Sequence, residues 1–236
     1  MADVDLGHVE GENGNTKMAS LVGGFAVIEN CCSQAECDSI AAHLETITCA
    51  GTRCLLNSDW CQTLSMTLKN RLTATIPDIS RLAAVQCTFF NKSTTNNWFV
   101  AYHQDRSIPV ASSDSAKDLP GWSQKEGMTF VLGPDELLAV MIAIRLHIDD
   151  STADNGPLRV IPDSHRAGTL SPQQIEKIRQ SSADNQLTVG TGGVIAMRPL
   201  LLHASSKSRT MANRRVLHFL FGPTEIPAGL EWRRAV

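Results

Sequence analysis

Seven histidines are spread along this chain of 236 residues, and one of them stands two positions before an aspartate in the stretch YHQD, residues 102–105. Alternate side chains of an extended strand share a face, so His103 and Asp105 project together while Gln104 opposes them. An imidazole and a carboxylate aimed at one point are two ligands for a metal, and a third has to come from elsewhere. His203, at the end of the apolar run in RPLLLHASS and reached through the Gly192–Gly193 turn, can deliver it. Two histidines with one carboxylate leave three coordination positions open, an arrangement suited to Fe(II), whereas a structural zinc takes four protein ligands, usually with sulfur among them. A rival copy of the spacing lies in LHIDD, where His147 and Asp149 stand two apart. It runs into the turn-like DDSTADNGP, while the first copy opens into a long polar segment, and that context favours His103 and Asp105.

A metal with open positions needs an organic partner, and a cation marks where one could bind. NRRVLHF places Arg214 eleven residues beyond His203, so that a short hairpin brings its guanidinium near the metal but outside direct contact. The planar fork suits the remote carboxylate of a keto-diacid. Arg215 takes the role instead if the strand register slips by one.

The elements that must position these groups follow from periodicity. Residues 1–19 carry acids, Gly and Asn without hydrophobic pattern and are expected to be a flexible tail; residues 20–236 are expected to form one domain. Ser33 and Glu36 make a capping box before a helix whose apolar residues are Ile40, Ala41, Leu44 and Ile47. His43 decorates that helix by surface exposure or packing. A second helix follows Ser58 and stops before Pro77, and SPQQIEKIRQ opens a third. Short β-rich segments fill the rest, including VMIAIRLHI, GPLRVIP, GGVIAMRP and RRVLHFLFG. Two helices and then seven or so short strands predict a mainly β sandwich or barrel with flanking helices. Residues 106–134 lack clear periodicity and are expected to be a lid loop beside the metal.

The net charge of −3 lacks the clustered Lys and Arg of a nucleic-acid binder. Seven cysteines, all within the first 87 residues and without a C-x-x-C pair, predict reduced thiols and a cytoplasmic location. No apolar run is long enough to span a membrane, and no signal-peptide pattern opens the chain. The expected partner is a small-molecule substrate, with no nucleic acid and no membrane; oligomeric state is left open.

In combination, HQD at 103–105, DNGPLRVIPDSHRAG at 154–168, LLLHASS at 200–206 and Arg214 resemble the phytanoyl-CoA dioxygenase-like enzymes, from about residue 20 to the end. The resemblance implies a double-stranded β-helix, the cupin-like jelly-roll barrel. It also implies a dioxygenase that uses Fe(II), 2-oxoglutarate and O2, with His103, Asp105 and His203 on iron and Arg214 on 2-oxoglutarate. Ser205 looks like the hydroxyl that assists at the same carboxylate, and Gln104 is counted with the cofactor contacts. His165 reads as structural, and Asn155 and Gly156 as turn residues. The implied reaction oxidises a C–H bond, by hydroxylation, with succinate and CO2 as coproducts. Arg145, a charge embedded in MIAIRLHI, must face a partner or the pocket. With Trp122 and Arg106 it forms the set of candidate substrate contacts. A metal-binding jelly roll without turnover, or without 2-oxoglutarate, is the alternative.

Overall fold

The computed structural model describes residues 8–9, 21–47, 49–111, 120–227 and 229–236. Its helices are α1 (Gln34–Leu44), α2 (Asp59–Leu72), α3 (Asp135–Val140) and α4 (Pro172–Ser181). Ser33 accepts from the backbone N–H of Glu36, whose carboxylate accepts in return from Ser33 N–H at 2.8 Å, so α1 starts where the sequence predicts. Ser171 and Gln174 do the same for α4. His43 of α1 packs rather than ligates: its ring lies parallel to Trp60 of α2 at 4.7 Å between centroids.

Three sheets make up the β structure. The large sheet has seven strands in the order β1 (His8–Val9), β2 (Phe25–Ile28), β12 (Val194–Met197), β9 (Ile142–His147), β14 (Arg214–Pro223), β4 (Leu82–Lys92) and β3 (Gly51–Thr52), antiparallel except for the β1–β2 pair. The small sheet runs β11 (Asn185–Leu187), β10 (Leu158–Val160), β13 (His203–Ser205), β5 (Val100–His103). The third is β6 (Ser107–Val110), β8 (Met128–Leu132), β7 (Ser123–Lys125). This is the jelly-roll expected, with helices on one side.

Strand alternation assigns the two faces of the large sheet. Ile142, Ile144 and Leu146 of β9 and Leu217, Phe219 and Phe221 of β14 pack with Ile40, Leu44, Leu68 and Leu72 of the helices. Ala143 and Leu220 face the other way, into a second core with Leu158 and Val160 of the small sheet and Ile108, Val110 and Val131 of the third. Arg145 and His147 share the inward face with Ala143, and Arg214 and His218 share it with Leu220. Polar side chains thus enter a β-sandwich interior, where each needs a partner or a ligand.

Segment 106–134 departs from the expected loop. In its described part it is the β6–β8–β7 sheet, with Ile108, Val110, Phe130 and Val131 buried; residues 112–119 lie outside the described residues. Glu126, in its β7–β8 turn, accepts from Thr52 Oγ1 and from the backbone and guanidinium of Arg53, which ties this sheet to the large one. The expected tail also lies outside the described residues, apart from the two residues of β1. Among the described residues all seven cysteines are free, and no helix is long and apolar enough to cross a membrane.

Candidate active site

His103 closes β5 and His203 opens β13, and the two are register partners, which places their rings 4.2 Å apart. Asp105 turns back toward them, its backbone N–H donating to Pro199 O at 2.8 Å. Asp105 Oδ1 lies 3.6 Å from His103 Nε2, and Oδ2 lies 3.6 Å from His203 Nε2. One ligand atom from each residue falls within 4.8 Å of the others, the one such cluster among the described residues.

The wiring of the rings fits a metal. Nδ1 of His103 lies 2.9 Å from Ala101 O, and Nδ1 of His203 lies 2.9 Å from Leu201 O. A carbonyl only accepts, so each Nδ1 carries the proton and each Nε2 presents a lone pair to the shared point. Burial pushes His203 down to about 3, so that ring is neutral, as a ligand must be. Asp105 Oδ2 is buried without a hydrogen-bond partner, an orphan a cation would satisfy.

A cavity of about 540 Å³ opens from these residues between the sheets. At one end Lys92 and Arg214 are register partners on β4 and β14, both almost fully buried. Lys92 donates to Ser205 Oγ at 2.8 Å and to Ser206 O, and sits 5.3 Å from the Trp98 ring centre. Ser205 Oγ donates to Gly156 O at 2.8 Å. Gly156 is in the left-handed region, φ +73°, and a Cβ there would stand 2.3 Å from Ser206 O and 3.2 Å from Lys92 Nζ, so the NGP turn needs glycine to close this end. Burial, reinforced by Arg214 and Arg145, lowers Lys92 to about 8; burial and Arg145 lower Arg214 to about 10. Arg214 Nε has no partner. Two desolvated cations without a carboxylate between them form a receptor for an anion.

A family model described as phytanoyl-CoA dioxygenase (PhyH) matches residues 22–216. The chain belongs to this family. No curated protein sequence matches it. Among solved structures, EctD from S. alaskensis in its apoform has a TM-score of 0.64 at 17% identity, covering 96% of this chain and 85% of that one. Iron-bound HygX from Streptomyces hygroscopicus has 0.60 at 17%, covering 85% and 83%. SnoK, an alpha-ketoglutarate-dependent carbocyclase from nogalamycin biosynthesis, has 0.62 at 11%, covering 86% and 80%. These likenesses are of fold. Family membership makes the chain a 2-oxoglutarate-dependent non-haem iron oxygenase, with iron as cofactor and 2-oxoglutarate and O2 as cosubstrates. The alternative of a jelly roll without turnover falls away.

In this phytanoyl-CoA dioxygenase family member the rival H-x-D pair is broken up. Asp149 takes Arg215 bidentately, at 2.9 and 2.7 Å, while His147 is wholly buried with both ring nitrogens unpartnered. The same pair points Arg215 away from the cavity and leaves Arg214 inside it, so the register has not slipped. Gln104 lines the cavity, but its side chain is already engaged. Its amide donates to Gly168 O and Leu200 O and accepts from Leu170 N–H, which commits the side chain to tying the loops behind the metal ligands. Trp122 is corrected as a substrate contact: it packs on the second core and does not line the cavity. Arg106 and Arg145 do line it. His165 lies outside this cavity, against Gly24.

Lys92 is the residue that sequence reasoning missed, and His218 reads from the sequence as a packed core histidine rather than a site residue. Lys92 ends the apolar FFNK run with the parity of Phe90 and Thr88, and only the β4–β14 register places it opposite Arg214. His218 has the parity of Arg214, a usable signal, and its Nε2 lies 3.5 Å from Asp105 Oδ2.

Proposed function

We propose that the protein hydroxylates a C–H bond of a small anionic metabolite, with His103, Asp105 and His203 holding iron and Arg214, Lys92 and Ser205 holding 2-oxoglutarate. The carrying observation is the convergence of two Nε2 lone pairs and an orphaned carboxylate oxygen beside a buried pair of cations. When bound, iron and 2-oxoglutarate supply the oxidising equivalent, with succinate and CO2 as coproducts. The chain's own residues supply geometry and dryness. Ala101 O and Leu201 O hold the two ring protons away from the metal, Gln104 fixes the loop between them, and Phe130 and Leu132 cover the cavity.

An anionic substrate is supported by the lining. Among the described residues, Arg53, Lys92, Arg106, Lys125, Arg145 and Arg214 line the cavity with one carboxylate, Asp105. Arg53 is neutralised by Glu126, and 2-oxoglutarate takes the Lys92–Arg214 end, which leaves Arg106, Lys125 and Arg145. Small-molecule substrates are also supported by HygX, solved with nickel, 2-oxoglutarate and hygromycin B bound. The seven free thiols support a cytoplasmic setting.

The test supplies Fe(II), ascorbate, 2-oxoglutarate and O2 and measures succinate against a panel of carboxylates and phosphates with matched amides and amines. Substrate-stimulated succinate from anionic members is expected. His103→Ala should abolish stoichiometric iron binding and His147→Ala should leave it intact; the reverse pattern would move the site to the other H-x-D copy.

A further inference from the structure

We propose that Arg145 is a positioning residue: its guanidinium locks His218 as the Nε2–H tautomer, so that this third imidazole donates toward Asp105 and is barred from the metal. The proposal rests on the reading of Asp105 as an iron ligand.

Arg145 and His218 are register partners on β9 and β14, and Arg145 Nη1 lies 2.9 Å from His218 Nδ1. A guanidinium has donors only, so His218 Nδ1 must be the acceptor and carry no proton. The single proton of the neutral ring then sits on Nε2, the atom 3.5 Å from Asp105 Oδ2. His103 and His203 are wired the opposite way, with Nδ1–H given to backbone carbonyls and Nε2 left bare. Three imidazoles thus surround one carboxylate, and backbone carbonyls select two as ligands while a cation selects the third as a donor.

The sorting has a functional consequence. His218 Nε2 approaches Asp105 but lies outside the three-residue ligand cluster; a bare nitrogen there would be free to move in and close a four-ligand set, which suits a structural zinc and leaves no room for a chelating keto-acid and O2. An Nε2 that carries a proton offers the metal no lone pair. It can instead donate to a second lone pair of Asp105 Oδ2, the oxygen 3.5 Å away, and hold the carboxylate's orientation, as hydrogen-bonded neighbours of metal ligands do. Arg145 is itself held in place, buried with its guanidinium carbon 5.6 Å from the Phe90 ring centre, and Phe90 meets His218 edge-on at 6.1 Å. Lys at this position would keep the charge and lose the fork.

Ring-nitrogen chemical shifts of histidine-labelled, metal-free protein test the wiring directly, with the His218 signals assigned by their loss in His218→Asn. Wild type should show His218 as the Nε2–H tautomer, and Arg145→Met should shift it to the Nδ1–H form or a mixture. Cobalt(II) should give weak visible bands of an open site in wild type and severalfold stronger, tetrahedral-type bands in Arg145→Met. Zinc affinity of Arg145→Met should rise by tenfold or more, and Arg145→Met/His218→Asn should lose both changes. A gain that persists in the double variant would mean Arg145 acts through charge alone and would overturn the proposal. So would an Nδ1–H tautomer in wild type, a result that stands even if Arg145→Met does not fold. Failure of the ligand reading looks different: wild type would bind no stoichiometric metal, with the His218 tautomer unchanged.

Discussion

Arg214 and Lys92 face each other across β14 and β4, yet they fail differently on substitution. Arg214 offers a rigid fork in a nearly dry site. Truncating one partner of such a charge pair costs ~2–5 kcal/mol, roughly a 30- to 5,000-fold loss of affinity. Arg214→Ala is therefore expected to raise the KM for 2-oxoglutarate at least tenfold without loss of iron, with Arg214→Lys intermediate. Arg215→Ala should leave that KM unchanged, because its guanidinium is spent on Asp149. Steady-state kinetics on the three variants check this, and a large effect at Arg215 alone would contradict the assigned register. Lys92 adds a pH signature. Its ammonium is lowered from 10.5 to about 8, chiefly by burial, so the free enzyme loses that charge as pH rises through about 8. The kcat/KM for 2-oxoglutarate should fall over that range, and Lys92→Met should be weaker throughout and flat. Stability should move the other way. Between about 8 and 10.5 the unfolded chain binds the proton that the folded one has lost, so this group makes folding more favourable as pH rises. Thermal melts across that range, compared with Lys92→Met, separate the two effects.

At the scale of elements, the turn before β10 carries more of the site than its exposed sequence suggests. Asn155 Oδ1 accepts from Thr152 N–H at 2.9 Å, its amide donates to Asp150 O at 2.7 Å, and Gly156 then passes close under Ser206 and Lys92. Gly156→Ala combines a left-handed residue with a backbone clash, a cost of about 1–3 kcal/mol, or a fall in melting temperature of roughly 2–10 °C for a chain of this size. The KM for 2-oxoglutarate should rise with it; a lower melting temperature with an unchanged KM would make the turn structural only. The NGP signal was legible in the sequence because turn chemistry is local. So were the Ser33–Glu36 capping box and the convergence of His103 and Asp105, although Asp105 lies past the end of β5 and reaches the site by turning back rather than by strand alternation. The third sheet was not, because Ile108 and Val110 flank Pro109, and Phe130 and Val131 are neighbours without alternation, so neither strand shows period two. Helix α3 was not read from the sequence, since its LLAV runs without a break into the apolar MIAI at the start of the next strand. Lys92 and the Arg145–His218 contact depend on cross-strand register between distant segments, which one-dimensional pattern cannot supply.

The whole molecule divides the site between its sheets. His103 and His203 belong to the small sheet and Asp105 follows its strand β5, whereas Arg214 and Lys92 belong to the large one. Across the site the sheets meet through Lys92 with Ser205 and Ser206 and through the 3.5 Å approach of His218 to Asp105, so the two buried cations reach the opposite sheet mainly through one hydroxyl and one carbonyl. Metal alone would fasten β5 to β13, and 2-oxoglutarate alone would find only the cationic end. A keto-acid that reaches Arg214 while chelating the metal would join the two sheets, so the two ligands should stabilise the fold cooperatively. A ligand at one hundred times its dissociation constant contributes about 2.7 kcal/mol, or about 5–10 °C in a chain of this length. Anaerobic melts with Fe(II), with 2-oxoglutarate and with both should give a combined shift larger than the sum of the separate ones. Arg214→Ala should keep the metal's shift and lose the excess. Shifts that merely add would mean that the keto-acid bridges neither the metal nor the sheets, and would place its binding elsewhere in the cavity.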